Sequence, residues 1–256
     1  MGCVLPGSDT VDRFWRALSD GETFFSTAPW SSDVFVGDKE NQTHSALGGF
    51  VSDAFLDSIR AKDPGRKSLT RGQLMALGCA DQICPPDDIR HSRVGVALGC
   101  MAYDSATNES FLIPLQSSLS ALSENDAIKD FFAATCTKTP SPENLEAFSL
   151  VRALQSNWKI EGAGILADAA CASTLAALEI ACEWLESEVY DYVLFGGVES
   201  GLGPETFASF SKLGVLSAKD SAPFTQAASG IIPSEGAALF LLSRTKPGTK
   251  VLRSEE

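Results

Sequence analysis

Apolar positions recur along this chain with two different periods, and stretches of the two kinds alternate. From Cys171 to Ser187, the residues Leu175, Leu178, Cys182 and Leu185 fall three or four apart, while Glu179, Glu183 and Glu186 lie largely elsewhere. That spacing predicts a helix with one apolar face. Comparable stretches predict helices over Val11 to Leu18, Ser52 to Ala61, Ser68 to Asp81, Ser110 to Ser123, Pro142 to Gln155 and Pro204 to Leu213. Short apolar runs predict strands over Val94 to Gly99, Gly164 to Ala167, Tyr192 to Phe195 and Gly236 to Leu242. The last three are almost unbroken, as expected of strands that helices cover on both faces. Alternation of this kind is the mark of an α/β fold. Segments rich in Pro, Ser and Asp, from Thr137 to Pro142 and from Ala218 to Pro223, read as loops.

One junction in this pattern carries chemistry. The run Gly162 to Asp168 leads straight into the helix that opens Cys-Ala-Ser-Thr, so Cys171 stands at a strand-to-helix elbow. The first turn of a helix presents unpaired N–H groups and the positive end of its dipole, which attract a thiolate and can hold a developing oxyanion. Cys171 is therefore a candidate nucleophile. The elbow alone is equally compatible with a small buried thiol acting as a hydrophobe.

Composition narrows the setting. With 44% hydrophobic and 21% charged residues, 21 Gly and 12 Pro, the chain is ordinary for a globular protein. No run of 18 apolar residues and no signal-peptide pattern directs it to a membrane, so a cytoplasmic location is the expectation. Seven cysteines without paired spacing fit reduced thiols, and Cys79 and Cys84 are too isolated to read as zinc ligands; neither a metal nor a cofactor is expected. Twenty Lys and Arg against 33 Asp and Glu give a net charge of −13, which disfavours nucleic acid and anionic membranes as partners.

The residues around the elbow, Asp168-Ala169-Ala170-Cys171-Ala172-Ser173-Thr174-Leu175, resemble the nucleophile motif of the β-ketoacyl synthases, the condensing enzymes of fatty acid and polyketide synthesis. The resemblance extends in order along nearly the whole chain. Gly2 to Gly7 and Phe14 to Leu18 are similar to the family's opening loop and first helix, and Asp63-Pro64 and Arg93 to Val96 fall in their expected places. Phe195-Gly196-Gly197-Val198-Glu199, Pro204 to Phe207 and Phe210 to Ser217 follow downstream. It implies a thiolase-like fold with a mixed sheet covered by helices on both faces. It also implies that residues 1–256 form the N-terminal half only, without the first strand and without the C-terminal half.

In that family the elbow cysteine accepts an acyl group from a carrier thioester, and a decarboxylated malonyl unit then attacks it. The resemblance gives Cys171 the acyl-accepting role, with its N–H as one oxyanion donor; the second donor and two assisting histidines belong to the other half. The histidines present, His44 and His91, lie outside any matching motif and read as surface residues. The implied partners are an acyl carrier protein or acyl-CoA thioester, a C-terminal half or homologous synthase subunit, and a second copy in a dimer. An acidic carrier needs a basic patch, and Arg60, Lys62, Arg66, Lys67 and Arg71 form the dense positive cluster, which reads equally as a solvated loop and helix start. The chain departs from the family at Pro223-Phe224-Thr225, Ser229-Gly230 and Pro233-Ser234-Glu235-Gly236, where two acids and an Arg are absent, so the loop beside the site is expected to be braced differently or loosely. Two readings remain open: a condensing enzyme incomplete without its second half, and a non-catalytic, chain-length-determining homologue. An unrelated cysteine enzyme is a more remote third.

Overall fold

The computed structural model describes residues 1–31, 35–38, 42–101, 126 and 147–244. Along the chain run β1 (Gly2–Val4), α1 (Val11–Asp20), β2 (Phe25–Thr27), β3 (Leu47–Gly49), α2 (Asp53–Ala61), α3 (Arg71–Ala80) and β4 (Val94–Gly99). After these come α4 (Ser149–Trp158), β5 (Gly164–Ala167), α5 (Ser173–Glu186), β6 (Tyr192–Glu199), α6 (Pro204–Lys212) and β7 (Gly236–Ser243). Five strands make the main sheet in the order β1-β7-β6-β4-β5. β4 is parallel to β5 and β6, while β7 is antiparallel to both β6 and β1, so the sheet is mixed as expected.

Local sequence explains where the helices start and stop. Thr10 caps α1 by accepting from the Arg13 N–H at 3.2 Å, and Gly21 ends it in the left-handed region at φ 66°, where a Cβ would be strained. Thr70 and Gln73 form a reciprocal capping box at the start of α3. Every residue from Gly72 to Ala80 is buried, because α3 packs on the sheet against β7 and β1 and is covered further by α2 and α4. Val4, Val96, Leu98, Leu194 and Leu239 of the sheet meet Leu74, Met75, Leu150 and Leu154 there in the larger core. The opposite face carries a smaller core, in which Ala97, Val193 and Phe195 pack under Ala177, Ala181 and Leu185 of α5.

Four expectations from the sequence change. Residues 2–4, read as part of an opening loop, form β1, because Cys3 and Val4 are buried and the segment completes the ladder of β7. Of the apolar stripe expected on α5, Leu185 is buried and Leu178 packs partly buried against the core, but Leu175 is 70% exposed and Cys182 exposed; the buried residues are Ser173, Ala177, Ala181 and Leu185. Small residues are needed on that stripe because α5 sits close to strand glycines; a Cβ at Gly99 would lie 2.4 Å from the Thr174 nitrogen. The helix expected from Pro142 is observed as α4 from Ser149, and residues 142–146 lie outside the described residues. The helix expected over Ser110 to Ser123 and the loop expected over Thr137 to Pro142 also lie outside them. Finally, α5 begins at Ser173 rather than Cys171.

Candidate active site

Cys171 lies in a single 3-10 turn, Ala170–Ala172, between β5 and α5, and its side chain is exposed. The turn is sharp. Ala170 adopts φ 51°, in the left-handed region that costs a residue with a Cβ about 1–3 kcal/mol. The buried Ser173 hydroxyl holds it there, accepting from the Ala169 N–H at 2.9 Å and donating to the Ala170 carbonyl at 2.6 Å. Asp168 adds a weaker brace, its Oδ1 accepting from the Ala170 N–H at 3.3 Å. Two glycines let this assembly settle onto the sheet. Beside Gly99 of β4, a Cβ at Gly197 of β6 would stand 2.4 Å from the Thr174 hydroxyl oxygen. The Asp168-to-Leu175 motif is therefore a structural specification as much as a chemical one. Gly197 makes room, Ser173 locks the strained residue, and the two together aim the Cys171 thiol away from the core.

The thiol opens on a cavity of about 720 Å³, within the range of ordinary ligand sites. Its lining is mostly apolar: Phe14 and Leu18 of α1, Phe24 and Phe25, and Ala238 and Phe240 of β7. Gly197 and Glu199 of β6 and the segment Ser234-Glu235-Gly236 complete the surround near Cys171.

That last segment adjoins Pro233, in the stretch where an Arg was missing from the sequence pattern, and it is firmly braced; the two missing acids fall at Thr225 and Ser229, outside it. Glu235, 3% exposed, takes the Arg71 Nε–H at 2.7 Å on Oε2. Its Oε1 accepts from Arg71 at 2.6 Å and from the Val51 N–H at 2.6 Å. Arg71 also donates to Asp53 and to the Val51 carbonyl. Backbone bonds from Gly49 N–H to the Pro233 carbonyl and from Glu235 N–H to the Gly49 carbonyl, each 3.0 Å, tie the segment to β3. Burial by itself would loosen the Arg71 proton, but the hydrogen bonds and charge of Glu235, then of Asp53, outweigh it and hold the guanidinium above its ordinary range. Sequence reasoning missed this brace because its members sit 164 positions apart.

Among the described residues, three carboxylates line the cavity. Glu22 is paired with Arg13 and Glu235 with Arg71. Glu199 has no cation partner among the described residues; its Oε1 accepts from the Gly201 N–H at 2.9 Å. Burial pushes the Glu199 carboxyl up, and the neighbouring Glu235 pushes the same way, against the backbone N–H groups of Gly201 and Ser200; the outcome is a raised pKa.

The histidines are elsewhere. His44 fastens a loop to the end of α6, its Nδ1 2.6 Å from the Ser211 hydroxyl and its Nε2 3.2 Å from the Leu216 carbonyl. His91 ends an exposed 3-10 turn, Asp87–His91. Neither lines the cavity. Most of the basic cluster is tied up in ion pairs, Arg60 with Asp57, Lys62 and Arg66 with Asp81, and Arg71 with Glu235 and Asp53, while Lys67 is exposed. Arg66 is itself buried, reaching Asp81 through two bonds of 2.8 and 2.9 Å and Asn157 at 2.9 Å. Among the described residues no group of three or more His, Cys, Asp or Glu is placed to hold a metal ion, and no helix is long and apolar enough to cross a membrane.

A mixed sheet between helices, with a cysteine on a strained elbow facing an apolar cavity, defines a protein with a thiol-centred α/β site. The model of the family "Beta-ketoacyl synthase, N-terminal domain" matches residues 1–247, and the chain belongs to that family. It is 28% identical over 270 residues to a phenolphthiocerol/phthiocerol polyketide synthase of Mycobacterium tuberculosis, covering 95% of this chain and 16% of that protein. It is 26% identical over 265 residues to a mycocerosic acid synthase-like polyketide synthase of the same species, covering 95% of this chain and 11% of that one. Among solved structures, an oxazolomycin ketosynthase domain of Streptomyces albus JA3453 superposes with a TM-score of 0.71 at 18% identity, over 94% of this chain and 40% of that one. The ketosynthase from module 6 of the bacillaene synthase of Bacillus subtilis 168 gives 0.68 at 20% identity, over 95% and 39%. The chain thus has the fold of the N-terminal half of a thiolase-like ketosynthase and spans well under half of the proteins it matches.

Proposed function

We propose that this chain is the acyl-accepting half of a condensing acyltransferase of the 3-oxoacyl synthase type, with Cys171 as the nucleophile. The observation that carries the reading is the placement of the Cys171 thiol, on an elbow locked by Ser173, in the lining of an apolar cavity of about 720 Å³. Acyl transfer needs a thiolate, an apolar channel for the chain, and donors for the oxyanion of the tetrahedral intermediate. The cavity supplies the channel, and the Cys171 N–H, in the 3-10 turn just before α5, supplies one donor. The thiolate attacks the carrier thioester carbonyl, the carrier's sulfur leaves, and the acyl group stays on Cys171. The later condensation needs hydrogen-bond donors at an enolate, which no histidine of this cavity provides, so we assign that step to a C-terminal half or a homologous synthase subunit.

The name of the relatives favours polyketide over fatty acid assembly, with an acyl carrier protein or acyl-CoA as donor. The same reading makes the protein a cytoplasmic dimer. A non-catalytic, chain-length-determining homologue is the second reading, favoured by the absence of a histidine from the cavity. Incubation with a medium-chain acyl-CoA followed by peptide mass mapping separates the two. Acyl mass on the Cys171 peptide, absent in Cys171→Ala, is expected; an unacylated Cys171 in folded protein contradicts the reading.

A further inference from the structure

Glu199 is the cavity carboxylate that the structure leaves uncommitted. Glu22 and Glu235 each have an arginine, whereas Glu199 is held among the described residues by backbone N–H groups at one end of β6. Its position is set by the sheet. Along β6, residues 193, 195, 197 and 199 share the face covered by α5: Val193 and Phe195 pack beneath that helix, and Gly197 touches Thr174 in its first turn. Glu199 lies one pleat beyond Gly197, past the start of the helix, where Cys171 is found, and both line the same cavity. A partly buried carboxylate with no counter-ion among the described residues, in the same cavity as a nucleophile, is the arrangement that suits a proton carrier.

We propose that Glu199 is the general base with which water clears an acyl group from Cys171, giving this site a thioester-hydrolysing activity in addition to acyl transfer. The inference rests on the acyl-accepting role of Cys171 proposed above. In the step, Glu199 takes a proton from water as the water oxygen bonds to the thioester carbonyl carbon. The tetrahedral intermediate then collapses with cleavage of the C–S bond. The proton passes from Glu199 to the Cys171 sulfur, and a free carboxylic acid leaves. Water is the only co-substrate, and no oxidant or reductant is consumed. The substrates are acyl thioesters stalled on the thiol, and the chemistry would reset a loaded site that no condensing partner has engaged.

The test is the rate at which label leaves preloaded protein. The full chain is loaded with radiolabelled medium-chain acyl-CoA, freed of donor by gel filtration, and followed for loss of acyl-Cys171, so that the rate is independent of the extent of loading. Glu199→Gln is expected to lengthen the acyl half-life at least about 100-fold, and Glu199→Asp to restore part of it. Equal half-lives in wild type and in Glu199→Gln, with matching circular dichroism, would overturn the inference; if Glu199→Gln fails to fold, a half-life in Glu199→Ala equal to that of wild type would do the same. Acyl-Cys171 in neither wild type nor Glu199→Gln would instead overturn the acyl-accepting reading, and the hydrolysis with it.

Discussion

On one face of the main sheet, α3 lies with every residue from Gly72 to Ala80 buried, packed against the strands and covered further by the helices α2 and α4. On the other, α5 crosses β4 and β6 on a narrow stripe of Ser173, Ala177, Ala181 and Leu185 and leaves Leu175 70% exposed. The closed face has the larger core; the open face has the elbow, the cavity and the thiol. The contrast teaches that the two faces divide the work. Interlocked helices on one side supply enough stability for the other to carry a residue at positive φ, a partly buried carboxylate with no cation partner among the described residues, and an exposed nucleophile. The site depends on the closed face at one point, where Arg71, the first residue of α3, braces Glu235 in the cavity wall.

Truncations on the two faces should separate most widely. Leu98→Ala, fully buried under α3 and α4, should cost about 3–5 kcal/mol in denaturant titration, whereas Leu175→Ala should stay within about 0.5 kcal/mol. Similar costs for both would erase the comparison. Arg71→Met should destabilise by about 3 kcal/mol, because it leaves the Glu235 carboxylate buried without its cation; it should also slow acyl loading of Cys171, which Leu175→Ala should not.

Smaller effects should show opposite responses to pH. Burial pushes the Asp81 carboxyl up, but hydrogen bonds from Arg66 and Lys62 more than reverse this and hold it below its ordinary value. A lowered carboxylate contributes stability that is present at neutral pH and lost as the pH falls below about 4 through the folded-state value. Asp81→Asn should therefore cost about 1 kcal/mol at pH 7 and nothing in strong acid. Glu199 is shifted the other way. Its contribution is fully present below its ordinary value of 4.5 and is lost as the pH rises through the raised folded-state value, so Glu199→Gln should be slightly more stable than wild type at pH 7, with the gap closing toward pH 4. Thermal melts of the two variants across pH 3–8 would read both signs.

Much of this organisation was legible in the sequence. Short apolar runs placed β4 and β5 at their observed limits, and the Asp168-to-Leu175 motif located the elbow, because both signals are local. The packed face of α5 was not legible. Hydrophobicity pointed to Leu175 and Cys182, but close approach to Gly99 and Gly197 selects for small residues, and that constraint lives in a different part of the chain. The Arg71–Glu235 brace and the true bonding of the basic cluster were hidden for the same reason: each pairs residues that only the fold brings together. The strand β1 escaped notice because three residues give no periodicity.

The most direct test of the division between the faces is the relative rate of thiol alkylation in the folded protein, mapped peptide by peptide after short exposure to iodoacetamide. Cys171 is expected to react first, ahead of the similarly exposed Cys84 and Cys182, with the buried Cys3, Cys79 and Cys100 last; burial raises the Cys79 thiol well above its ordinary range and should make it the slowest. A Cys171 that reacts no faster than Cys84 and Cys182 would contradict the assignment of the reactive centre to the elbow on the open face.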